Sequence, residues 1–192
     1  MRQTMQFNYQ TDRLQLKILS QDYGEAVHCF YENNKEFLAP FEPKRPENFY
    51  SDNFHRANLS CEYRGFLNFS YFRYWLFPRE IPAVPGMIPM GSLCFNNIQR
   101  GAFQKCTLGY KLGQAACHQG YMSEALSFII PLILEELKLH RIEAYVQPDN
   151  NPSIRLLTKL GFQEEGYLSS YAEINGEWKD HLIFSYISSM NQ

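Results

Sequence analysis

The stretch "CHQGYMSEAL", residues 117–126, places one glycine, Gly120, just ahead of an apolar run with helical spacing. The first N–H groups of a helix have no partner inside it and carry a partial positive charge, so such a turn can hold an anion without a basic side chain. Gly120 allows close approach or a positive φ, and Ser123 adds a hydroxyl at the start of the helix. An ordinary strand-to-helix turn looks the same, and a lone glycine does not separate the two. Two nucleotide motifs fail on residue types. No lysine precedes Ser123, as G-x-x-x-x-G-K-[ST] demands, and Gly120 is the only glycine of a G-x-G-x-x-G turn. The turn must suit some other phosphate.

A second constellation follows about thirty residues later. "VQPDNNPSIRLLTKLGF", residues 146–162, leaves a strand and turns through Asp149, Asn150 and Asn151. It enters a helix at Pro152 and stops with Gly161 in the C-cap position. The order N-x-x-S then K-x-G-F, downstream of a glycine turn, is far more specific than either half. It marks Asn150 and Ser153 as candidates at a helix start.

These residues need a scaffold. "DRLQLKIL" (residues 12–19) alternates as a half-buried strand does, and Ser20 is placed to cap a helix through "QDYGEAVHCFYENN". Pro40, Pro43 and Pro46 break the chain before a second helix, residues 50–66. Strands are predicted at residues 68–77, 91–98 and 105–113, with a proline-rich loop between the first two and a "RGAF" turn before the third. A helix (122–137), a strand (140–146), a helix (152–160) and a strand from Gly161 to Ile174 follow. Asn175-Gly176 then makes a hairpin into a last strand through Ile187. The expected fold is mixed α/β, with parallel and antiparallel pairs, in one domain over residues 1–192.

Composition removes other classes. Eighteen basic against 20 acidic residues give no electrostatic reason for a nucleic-acid partner. Five cysteines, odd in number and without a C-x-x-C pair, suggest neither a disulfide framework nor a metal site, and reduced thiols point to the cytoplasm. The N-terminus lacks the apolar segment of a signal peptide, and the longest apolar run, "FIIPLIL", is too short to span a bilayer, so no membrane partner is expected.

The blocks "RGAF", "LGYKLGQ", "GYMSEAL", "HRIEAYVQPDNNPSIRLLTKLGF" and "EGYLSSYAEINGEWKDH" resemble the GNAT superfamily of acetyl-CoA-dependent N-acetyltransferases. Within it they are most similar to the ribosomal-protein-alanine acetyltransferases of the RimJ/RimL group, particularly its RimJ members. The likeness runs from Thr11 to Ile187 and is supported by "FLAPFEP" near the N-terminus. It implies a largely antiparallel sheet of about seven strands, splayed in the middle and flanked by about four helices. The pantetheine arm of acetyl-CoA would lie in the splay, with its pyrophosphate on backbone N–H groups of His118, Gln119, Gly120, Tyr121, Met122 and Ser123. Leu112 joins them in the cofactor site. The superfamily pattern Q/R-x-x-G-x-G/A reads Cys117-x-x-Gly120-x-Met122 here, which removes side-chain help and keeps the backbone donors.

The resemblance also implies roles in acetyl transfer, which needs a neutral amine, a stabilised oxyanion and a proton for the leaving thiolate. Many relatives carry a base glutamate on the fourth strand where this chain has Thr107, and a tyrosine acid where it has Leu157. Ser153, one helical turn before Leu157, is then the candidate acid, hydrogen-bonded to the CoA sulfur, with helix capping as its competing role. Asn150 would contact the pantetheine or cap the same helix. Glu173, Asp180 and His181, or a water chain, are the remaining candidates for the base. An α-amine, with a pKa near 8, is about a tenth neutral at pH 7, whereas lysine is neutral in well under ~0.1% of molecules. The missing glutamate therefore fits an N-terminal acceptor. Glu36, Phe41, Arg100 and Tyr171 are candidates for the acceptor groove, and Glu36 and Glu42 could attract a basic protein. The expected activity is direct acetylation of the N-terminus of a ribosomal or other protein, without a metal, by a monomer or homodimer. Acetylation of a small amine, or a weakly catalytic CoA-binding regulatory role, are the alternatives.

Overall fold

The computed structural model describes residues 5–188. Eight strands form one sheet: β1 Asn8–Gln10, β2 Leu14–Lys17, β3 Phe72–Pro78, β4 Gly91–Gln99, β5 Lys105–Leu112, β6 Arg141–Val146, β7 Gln163–Ile174 and β8 Glu177–Ile187. Their order is β1-β2-β3-β4-β5-β6-β8-β7. Every pairing is antiparallel except β5 with β6. The helices are α1 Gly24–Asn33, α2 Lys35–Leu38, α3 Asp52–Leu67, α4 Tyr121–Glu136 and α5 Asn151–Lys159.

Local chemistry accounts for most of these elements. In β2, Leu14 and Leu16 are buried while Gln15 and Lys17 are half-buried, the alternation of a strand with one core face. The Ser51 hydroxyl accepts from Phe54 N–H and so starts α3. In α4, Leu126, Ile129, Ile130 and Ile133 form a buried stripe at helical spacing. Each such side chain contributes roughly 1.5–3 kcal/mol by leaving water. Asn175 and Gly176 have φ of 47° and 86°, the two left-handed residues that a tight hairpin turn between β7 and β8 requires.

The sheet divides two cores. Beneath α4 and α5 the packing is mainly aliphatic, built from Leu93, Leu108, Ile142, Leu157 and the α4 stripe. Beneath α1 and α3 it is mainly aromatic, built from Phe30, Tyr31, Phe49, Trp75 and Phe77.

Four details differ from the sequence reading. The sheet has eight strands, because β1 pairs with β2 although "NYQ" carries no apolar alternation. β3 starts at Phe72 and not at Asn68, since α3 runs on to Leu67 and Asn68 ends it. A four-residue helix, α2, brings the α-helices to five. The Ser20 hydroxyl donates to the Asp22 carboxylate and does not cap the backbone, so the first turn is a 3-10 turn over Gln21–Tyr23 ahead of α1.

Candidate active site

β5 and β6 pair at three positions only, Lys105 with Arg141, Cys106 with Ile142 and Thr107 with Glu143. From Leu108 to Leu112 the edge of β5 that faces β6 has no strand beside it. The sheet is therefore split, as the sequence likeness implied, and Leu112 lies at the far end of the open edge. The Tyr110 hydroxyl reaches across to the Ser153 carbonyl at the start of α5, a long contact of 3.5 Å. Burial pushes the Tyr110 phenol up to about 12, so it keeps its proton.

The open edge leads through Gly113 and a 3-10 turn, Gln114–Ala116, to the glycine turn. Gly120 is the N-cap of α4 with φ 79°, a left-handed conformation that favours glycine. His118 is left-handed too, with φ 61°, which its residue type did not announce. His118 and Gln119 are exposed, whereas the Met122 side chain is 4% exposed and belongs to the core. Met122 therefore offers the turn its backbone only. Tyr121 and Ser123 complete the first turn of α4, both half-buried.

Arg13, which the sequence reading did not single out, stands at this turn. Its guanidinium binds the Glu124 carboxylate at 2.6 Å and the Gln119 carbonyl at 2.9 Å, and it covers the Tyr121 ring at 4.7 Å. Thr11 and the Arg13 N–H also donate to Glu124. Burial works to raise the Glu124 carboxyl, but these donors outweigh it and hold the group below its ordinary value. A fixed carboxylate thus holds a cation beside the turn. Cys117 donates its thiol to the Gly113 carbonyl at 3.5 Å, and burial raises its pKa, so it is not poised as a nucleophile.

At α5 the two candidates have separate places. The Asn150 side chain accepts from the Ser153 N–H at 3.2 Å, so Asn150 is the cap, and Ser153 does not have the capping role considered for it. Ser153 is half-buried at the mouth of the split. Leu157 is fully buried in the aliphatic core.

On the opposite face, Glu42 pairs with both Lys111 and Arg45. Burial alone would raise its carboxyl, and the two cations reverse the effect and lower it. It is therefore committed to internal partners and not to drawing in a basic acceptor. Glu42 and Arg45 line a cavity of about 210 Å³ with Tyr31, Tyr50 and Asn175. The loop around it is fixed by Gln147, which donates to the Pro40 carbonyl, and by the Asn175 N–H, which donates to the Glu42 carbonyl. Glu36 is exposed beside it on α2, and Phe41 is 43% exposed. Arg100 is not gathered here. It donates to the Leu137 carbonyl at the end of α4, beside the paired end of β5 and β6, where a cation meets the negative helix terminus.

Tyr171 comes to the split through a bulge. Between Leu168 and Ala172, β7 carries three residues against one on β8, with Ser170 left-handed. The Asp180 carboxylate takes the Ser170 N–H at 2.7 Å and pairs with the Tyr167 hydroxyl, so it serves the bulge. Tyr171 then stacks on Tyr145 at 4.8 Å and lies 5.4 Å from the buried His181 ring. Glu173 is exposed opposite Trp178.

Glu143, only 5% exposed, was also missed. It neighbours Thr107 across the last parallel pair and takes Lys105 at 3.0 Å, Arg141 at 2.7 Å and the Tyr145 hydroxyl at 2.9 Å. Burial opposes its ionisation, but these donors prevail and lower its pKa. The charged residues of "RIEAYV" at every second position were the available signal. Among the described residues no His, Cys, Asp and Glu group could hold a metal ion, and no helix is long and apolar enough to cross a membrane.

A family model described as an acetyltransferase (GNAT) domain matches residues 13–163. The [ribosomal protein uS5]-alanine N-acetyltransferase of Escherichia coli (strain K12) is 34% identical over 173 residues, spanning 90% of this chain and 87% of that protein. The crystal structure of ribosomal-protein-S5-alanine acetyltransferase from Vibrio fischeri matches with a TM-score of 0.89 at 25% identity, covering 97% of this chain and 100% of that one. Mycobacterium smegmatis RimJ in complex with CoA-disulfide shares the fold, with a TM-score of 0.82 at 23% identity over 93% of this chain and 84% of the other.

Proposed function

Because this chain belongs to the GNAT acetyltransferase family, we propose that it transfers the acetyl group of acetyl-CoA to the α-amine of a protein N-terminus, with a ribosomal protein as acceptor. The observation that carries the reading is the open edge of β5, which leads from Thr107 directly to the left-handed Gly120 turn. One side of that path offers backbone groups for an extended arm, and its end offers helix N–H groups and Arg13 for a pyrophosphate. Acetyl-CoA supplies the activated acyl carbon and a thiolate leaving group.

The protein's part is binding, orientation and control of protons. His118, Gln119, Gly120, Tyr121, Met122 and Ser123 hold the diphosphate through their backbone, and Leu112 lines the arm. Asn150 fixes the start of α5, and Ser153 presents its hydroxyl to the departing sulfur. The amine nitrogen forms its bond to the acyl carbon as the carbon–sulfur bond breaks. The proton lost by nitrogen is the one the sulfur finally takes up. Thr107 cannot act as a base, so the chemistry relies on an acceptor already partly neutral near pH 7. Glu36, Phe41 and Tyr171 flank the route by which a peptide N-terminus enters.

A library of short peptides with varied first residues and internal lysines, incubated with acetyl-CoA and read by mass spectrometry, tests the assignment. Acetylation confined to the α-amine of Ala- or Ser-starting peptides is expected, with turnover reduced at least tenfold in Ser153→Ala. Transfer to free amino acids or polyamines alone would replace the protein acceptor with a small amine. CoA binding without transfer to any amine would leave only a CoA-binding protein.

A further inference from the structure

The mouth of the split has a hydrogen bond of fixed direction. An ionised carboxylate can only accept, and Glu143 accepts from Lys105, Arg141 and Tyr145. The Tyr145 hydroxyl must therefore spend its proton on Glu143. Burial, with Glu143 and Tyr171 beside it, raises the Tyr145 phenol, so that proton stays on oxygen throughout the neutral range. What remains on the phenol oxygen is its lone pairs, one beside the Tyr171 hydroxyl and one turned to neither neighbour.

Tyr145 is also well placed. It follows Glu143 by two residues on the same face of β6, just past the last β5 pairing at Thr107, so it borders the opening and not the paired sheet. It is half-buried, and Tyr171 covers its ring face. Arg141, the third member of the group, is anchored on its other side by Glu165, which also takes the Ser185 hydroxyl.

We propose that the Tyr145 oxygen accepts an N–H of the acceptor amine and thereby turns the nitrogen lone pair toward the acyl carbon, with Glu143 as the positioning residue that sets the direction of this bond. The proposal rests on the N-acetyltransferase reading above. Nitrogen gains positive charge as it attacks, so its N–H becomes a stronger donor in the transition state than in the bound substrate. The contribution of Tyr145 therefore falls on kcat more than on KM. Tyr145 supplies in part what a strand glutamate at Thr107 would have supplied, orientation and polarisation, without removing a proton itself.

Tyr145→Phe keeps the ring stacked on Tyr171 and removes only the oxygen. With an Ala-starting peptide as acceptor, kcat is expected to fall about tenfold or more, while KM for acetyl-CoA stays within twofold of wild type. Glu143→Gln should show a comparable loss, and the double variant should lose no more than the worse single one, because both act through one bond. Should Glu143→Gln fail to fold, Tyr145→Phe alone still decides the matter. A kcat for Tyr145→Phe within twofold of an active wild type overturns the positioning role and leaves the acetyltransferase assignment standing. A wild type that binds CoA and acetylates no amine overturns both.

Discussion

The two faces of the sheet are built from different materials. Under α4 and α5 the core is mainly Leu and Ile, and the helix stripe from Leu126 to Ile133 is buried almost completely. Under α1 and α3 the core is richer in Tyr, Phe and Trp, interleaved with His55, with Arg73 paired to Glu62 and with Lys111 paired to Glu42. Among the described residues, the buried side-chain nitrogens without a partner, Arg45 Nε, His55 Nε2 and Trp75 Nε1, belong to this second side. His55, Arg73 and Lys111 thus put titratable groups into the interior of the aromatic side.

The contrast is open to test. The largest effect should come from the aliphatic face: Ile129→Ala, at a site with 0% exposure, is expected to cost about 3 kcal/mol in urea unfolding, by the same amount at pH 5 and pH 7. A cost that varied strongly with pH would show that the aliphatic core is coupled to the charged face. Comparable in size is an acid weakness of the aromatic face. Burial, reinforced by His28 and Arg45, lowers His55 to about 4. The unfolded chain then binds the extra proton first, and stability present above pH 6.5 is lost as pH falls toward 4, by about 3 kcal/mol. His55→Phe should flatten that slope, and an unchanged slope would acquit the histidine. Glu42 and Glu143, both lowered, act in a separate window that opens only below about 4.5.

The smallest effect belongs to the turn. Gly120→Ala places a Cβ at φ 79°, 3.5 Å from Arg13 Nη2, a contact of ordinary length. Backbone strain of about 1 kcal/mol is expected, a melting temperature lower by about 2–4 °C. CoA affinity by calorimetry should fall about fivefold, and an unchanged affinity would remove the turn from the cofactor site.

How much of this was legible depended on distance along the chain. Alternation in "DRLQLKIL", the α4 stripe and the Asn175-Gly176 turn are local signals, and they placed their elements within a few residues. The three-residue β1 has no pattern of its own and exists because β2 offers it an edge. Asn150, Ser153 and Gly120 were readable for the same local reason, since a helix start announces itself within four residues. Arg13 and Glu143 were not. One meets Gln119 from more than a hundred positions away, and the other meets Lys105 through a parallel pairing that no short motif specifies. Arg100 misled because its turn is near β5 in sequence, while its side chain serves the end of α4.

The split after Thr107 has a further consequence. Two strands lie next to each other in the sheet order and join at three positions only, so a groove stays open along the rest of β5. By mass action, a ligand that binds only the folded chain adds about 2.7 kcal/mol at one hundred times its dissociation constant. With the donor in the role proposed above, the protein's resistance to heat and to proteases would rise and fall with the supply of acetyl groups. The enzyme would last longest when it has most to transfer.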